Sequence, residues 1–110
     1  MSSLIGKKIL NYEIVSLIGK GGMGTVYLGI NSSIGQKVAI KVLNEELVGS
    51  QMVRDRMKKE AQTLLLLDHP GIVKLLNYVE QDDNVFLIME FVEGESLQEF
   101  LTETNGLIVE

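Results

Sequence analysis

Between residues 25 and 30, Val26, Leu28 and Ile30 alternate with Tyr27 and Gly29. That two-residue period marks a strand with one buried face. Residues 12–18 form a second β-rich run, and a glycine turn joins the two. A further turn cluster, Asn31-Ser32-Ser33-Ile34-Gly35, leads into a third strand over 37–43. Strands this close in sequence leave no room for a crossover helix, so the spacing predicts an antiparallel meander.

The period then changes. Val53, Met57, Ala61, Leu64 and Leu65 recur at helical spacing across 52–67, with Arg54, Arg56, Lys58 and Lys59 supplying the wet side. Pro70 and Gly71 stop this helix, because proline cannot continue it and glycine frees the backbone. Residues 72–79 and 84–92 predict two more strands around the acidic turn Glu80-Gln81-Asp82-Asp83. The unbroken apolar run from Val85 to Met89 predicts a strand buried on both faces. Residues 95–103, after Gly94, predict the start of another helix. The expected fold class is α+β, a five-stranded antiparallel sheet with one main helix, and the chain has no internal repeat.

Composition narrows the function classes. The 110 residues make one small domain, and a hydrophobic fraction of 45% is too high for a disordered chain. A net charge of -5 argues against nucleic acid or an anionic membrane as the main partner, since both reward a basic surface. The absence of cysteine removes disulfides and thiolate metal sites and suits a cytoplasmic setting. No signal-length apolar core occurs near Met1, and the apolar runs 64–67 and 85–89 are too short to cross a bilayer. A parent protein tethered to a membrane by another segment remains compatible with this reading.

The candidate chemistry begins at Gly19-Lys20-Gly21-Gly22-Met23-Gly24. A Rossmann loop of this spacing would open a helix, yet Thr25-Val26-Tyr27-Leu28 reads as a strand. A Walker A loop needs Ser or Thr after Gly-Lys, and Gly21 follows Lys20. What remains is a β-hairpin whose backbone N–H groups can approach phosphates unobstructed, or a plain glycine hairpin.

On the third strand Ala39 and Lys41 share one face, and Val38, Ile40 and Val42 the other. A small residue two positions from a lysine leaves room for a flat ring with an ammonium beyond it. Glu60 falls three residues after Met57 and four before Leu64, on or beside the helix's apolar stripe. A carboxylate there is costly without a cation, and Lys41 is the natural one. The plainer alternatives are a solvated strand lysine and a glutamate snorkelling at the stripe's edge.

With Gly-x-Gly-Gly-Met-Gly-x-Val-Tyr, Val38-Ala39-Ile40-Lys41 and the run from Glu60-Ala61 through Asp68-His69-Pro70-Gly71-Ile72-Val73-Lys74-Leu75, the chain resembles the bacterial eukaryotic-like (Hanks-type) serine/threonine protein kinases. The resemblance spans nearly the whole chain and implies the kinase N-lobe, over 1–93, with 94–110 leaving the hinge toward the second lobe. It implies ATP as ligand, with Gly19, Gly21, Gly22 and Gly24 over the phosphates and Lys41 on the α- and β-phosphates. Glu60 would be the helix partner of Lys41. Ile18, Val26 and Ala39 would line the adenine, with Val73 nearby. Met89 would be the gatekeeper, Glu90, Phe91 and Val92 the hinge, and Leu64 and Leu75 part of an apolar spine.

By the same resemblance the parent transfers the γ-phosphate of Mg-ATP to Ser or Thr hydroxyls of a protein substrate. No His-Arg-Asp or Asp-Phe-Gly run occurs in the chain, so ligands for Mg2+ and a catalytic base are expected from a C-lobe and the chain alone is expected to be inactive. A pseudokinase lobe and a non-enzymatic interaction module are the alternatives. His69 reads as a turn residue rather than an acid–base catalyst, since no carboxylate or nucleophile accompanies it. Val92, Leu97, Phe100, Leu101, Leu107 and Ile108 would lack cover without a second lobe, so self-association through this tail is expected.

Overall fold

A computed structural model describes residues 4–22, 24–66, 74–81 and 83–91. Its elements in chain order are β1 (Lys8–Ile9), β2 (Tyr12–Lys20), β3 (Gly24–Asn31), β4 (Gln36–Leu43), α1 (Gln51–Leu66), β5 (Leu75–Gln81) and β6 (Asn84–Glu90), with a single 3-10 turn at Glu45–Leu47 before the helix. The strands form one antiparallel sheet in the order β1-β2-β3-β4-β6-β5.

The meander is there, with one strand more than expected. β1 is two residues long, too short to show a period, and it exists because Leu10 takes a left-handed φ of 55° and turns Ile9 back onto Tyr12. Gly35, at φ 71°, closes the β3–β4 turn, where its N–H and that of Ser33 both bond to Asn31, one to its carbonyl and one to its side chain. β2 runs two residues further into the glycines than the pattern suggested, and the start of the strand expected at 72 lies outside the described residues.

Ser50 caps α1, its Oγ accepting the N–H of Val53. Met57, Ala61 and Leu64 from the helix join Leu43, Leu75, Val85, Leu87 and Met89 in one buried cluster. A second cluster, Ile9, Ile14, Val38, Ile40, Val42, Phe86 and Ile88, lies on the sheet's other face under Leu4 and Tyr12. Both faces of β6 are therefore covered, and Val85 to Met89 are all buried, as the unbroken apolar run implied.

Two helix expectations are corrected. Leu65 is 69% exposed, not part of the stripe, because the buried side centres on Met57, Glu60, Ala61 and Leu64 and Leu65 turns past its edge. Arg54 is not simply on the wet side: its guanidinium donates to the Asp83 carbonyl at 2.6 Å and to the Val48 carbonyl at 3.4 Å. It pins the start of α1 to the β5–β6 turn. Arg56, Lys58 and Lys59 are exposed as expected. Among the described residues no helix is long and apolar enough to cross a membrane.

Candidate functional site

The register of the sheet brings the candidate residues into rows. Gly19 pairs with Val26, Val26 with Lys41, and Lys41 with Leu87; one step along, Leu28 pairs with Ala39 and Ala39 with Met89. Two irregularities in β2, one of them at Ile18, bring Gly19 opposite Val26. Val26, Ala39 and Met89 are buried, and Ile18 and Gly19 half-buried. Met89, Leu64 and Leu75 belong to the same buried helix-side cluster.

The glycine tip closes with the Gly21 N–H on the Gly24 carbonyl at 2.8 Å. Gly24 is glycine for want of space. A Cβ there would lie 2.8 Å from the Val42 carbonyl oxygen and 3.1 Å from Cε of Lys41, so any side chain would displace the lysine or the strand. At Gly22 the corresponding position is open space. At Gly24, then, only backbone stands between β3 and the Lys41 stem.

Lys41 is 2% exposed and Glu60 6%. The Lys41 ammonium donates to both carboxylate oxygens of Glu60, at 3.4 Å to Oε1 and 3.2 Å to Oε2. Burial raises the Glu60 carboxyl to about 7, against the opposing pull of Lys41, and burial likewise lowers the Lys41 ammonium against the pull of Glu60. Both shifts run toward neutrality, so desolvation outweighs the mutual attraction and leaves the ammonium under-compensated. An anion placed beside it would supply the missing charge.

The start of the candidate hinge is held at its backbone. The Glu90 N–H donates to the Lys74 carbonyl at 3.0 Å, and the Glu90 carboxylate accepts the Lys74 N–H at 3.1 Å. The Lys37 ammonium lies 5.9 Å from the centre of the Phe91 ring. Val73, Val92, Met23, His69 and the tail residues named above lie outside the described residues.

One contributor escaped sequence reasoning altogether. Asn44, just past β4, is buried and bonded to Thr25 and to the glycine tip. A lone asparagine after a strand reads as a turn former, and only the fold shows what it reaches. Among the described residues no group of three or more His, Asp or Glu side chains gathers to hold a metal ion.

Comparison with known proteins places this geometry in a family. The protein kinase domain family matches residues 12–110, and the chain belongs to it. It is 45% identical over 91 residues to the serine/threonine-protein kinase pkn2 of Myxococcus xanthus, covering 83% of the chain and 11% of that protein. It is 40% identical over 105 residues to the serine/threonine-protein kinase PrkC of Bacillus subtilis, covering 94% and 16%. In structure it is similar to the PknI kinase domain of Mycobacterium tuberculosis, with a TM-score of 0.67 and 28% identity over 86% of this chain and 38% of that one. The antiparallel sheet with its single main helix is the kinase N-lobe, and the chain spans about a sixth or less of the length of these two curated relatives.

Proposed function

We propose that the lobe binds ATP and that the parent protein transfers its γ-phosphate to Ser or Thr hydroxyls of a protein. The observation that carries this reading is the buried Lys41–Glu60 pair beside a glycine loop that has no room for a side chain at Gly24. Gly19, Gly21, Gly22 and Gly24 supply the backbone donors and Lys41 the charge for the phosphates. Ile18, Val26 and Ala39 flank the adenine, with Met89 behind it and Glu90 and Val92 along its edge.

Glu60 holds the ammonium at a fixed height above the sheet, and the phosphates complete the compensation that Glu60 leaves unfinished. The chemistry of the described residues does not fit Mg2+, and no step is assigned to the metal. The base that would take the hydroxyl proton is expected from the C-lobe, since the sequence holds no His-Arg-Asp or Asp-Phe-Gly run, and the 110-residue chain alone is expected to transfer no phosphate. A cytoplasmic location and self-association of the tail belong to the same reading.

The test is the full-length protein with Lys41→Met, monitored for transfer from labelled ATP to a generic Ser/Thr substrate and for ATP affinity. Transfer should fall to background while the protein still unfolds cooperatively. Near-normal kcat/KM in that variant would remove Lys41 from the role given to it.

A further inference from the structure

Asn44 is 4% exposed and uses both ends of its amide. Its Oδ1 accepts the Thr25 hydroxyl at 2.6 Å, and its Nδ2 donates to the carbonyls of Gly21 and Gly22, each at 3.2 Å. Carbonyls only accept, so the nitrogen must face the glycine tip and the oxygen must face Thr25. The amide thus has one orientation, and all three bonds agree on it. Thr25 pairs with Val42, on the face of the sheet opposite to Val26 and Lys41. Asn44 therefore pulls on the tip from the side away from the ammonium.

That pull has a geometric result. Peptide units are planar and trans, so a carbonyl drawn in one direction sends the N–H of the same unit the other way. With the Gly21 carbonyl held by Asn44, the Gly22 N–H is aimed away from Asn44. A glycine-rich tip left to itself samples many orientations, and a ligand that needs one of them binds more weakly by the fraction of time it is absent.

We propose that Asn44, oriented by Thr25, is a positioning residue for the phosphates of a bound nucleotide. It acts through the loop backbone and touches no ligand. The inference rests on the nucleotide reading above and adds a device to it: the loop is pre-set before the ligand arrives, from a residue three positions beyond the lysine.

The experiment compares ADP and adenosine binding to the full-length protein by calorimetry, in wild type, Asn44→Asp, Thr25→Val, Thr25→Ser and Lys41→Met. Asn44→Asp keeps the shape and the acceptor for Thr25 but turns a carboxylate oxygen toward two carbonyls. ADP should then bind about tenfold more weakly, the scale of one or two lost hydrogen bonds. Adenosine, which has no phosphate, should stay within about twofold. Thr25→Val should shift the same ratio by roughly threefold, and Thr25→Ser, which keeps the hydroxyl, should restore it.

A merely structural role for Asn44 would weaken both ligands together or neither, and either result overturns the proposal. If Asn44→Asp does not fold, the Thr25→Val and Thr25→Ser pair decides by the same ratio. Loss of ADP binding in Lys41→Met with an unchanged ratio in the other variants sinks the clamp alone. An unchanged ratio in Lys41→Met as well sinks the nucleotide reading beneath it.

Discussion

Replacing Glu60 by glutamine should change how stability depends on pH, in a direction set by burial. The Glu60 carboxyl moves from an ordinary 4.5 to about 7 in the folded lobe, because desolvation exceeds the help from Lys41. A carboxyl raised on folding binds its proton more tightly in the native than in the unfolded chain, so its contribution is full below about 4.5 and is lost as pH climbs to about 7. At about 1.4 kcal/mol per pH unit, the loss across that window is up to about 3 kcal/mol.

Glutamine cannot titrate, so Glu60→Gln should lose that descent. From about pH 4.5 to about 7 the variant should therefore gain on the wild type as pH rises. Lys41 then lacks its anion, and burial holds its ammonium further below the ordinary lysine range. Urea unfolding of both proteins at half-unit steps from pH 4 to 8 measures the difference, which Glu60 and its partner Lys41 set between them. Parallel curves between 4.5 and 7 would refute the claim that burial dominates this pair. A difference of opposite sign would mean that the ion pair is net stabilising where it lies.

Four further outcomes follow from the geometry. Arg54→Ala should cost about 1–3 kcal/mol and loosen the start of α1, visible as faster amide exchange there, because the Asp83 and Val48 carbonyls lose a charged donor. Gly24→Ala should weaken ATP binding more than it lowers Tm, since the added Cβ meets the Val42 carbonyl and the Lys41 stem. Met57→Ala should cost about 2–5 kcal/mol in chemical denaturation, as expected for a fully buried side chain at the centre of the helix-side cluster. The purified 110-residue chain should give no transfer above a blank, and turnover by a verified pure sample would overturn that expectation.

The parts legible in the sequence were those written locally. Alternation at Val26, Leu28 and Ile30 and the apolar run at Val85 to Met89 reported strands because each residue's environment repeats with the backbone period. Glu60 could be read because a carboxylate on an apolar stripe demands a partner, and the structure supplies Lys41 at 3.2 Å. Leu65 misled because helical spacing cannot say how wide the covered stripe is. Arg54 and Asn44 were opaque for another reason. Their partners lie 29 and about 20 residues away, at backbone carbonyls and a hydroxyl that no side-chain pattern marks. β1 was too short to carry any period.

The strand that lies between β4 and β5 is the last described strand to be synthesised. β6 spans Asn84–Glu90, yet it supplies apolar side chains to both clusters and pairs with Val38, Ala39, Ile40, Lys41 and Val42 from half the chain earlier. On a ribosome the β2-β3-β4 meander can close by neighbouring contacts while α1 is still being made. Its outer strand then waits with an open edge for about forty more residues, several seconds at bacterial elongation rates. An exposed apolar edge of that duration is a site for chaperone capture or pairing with another nascent chain. The order of strands in this sheet thus sets a moment of vulnerability that ends only when residue 90 has cleared the exit tunnel.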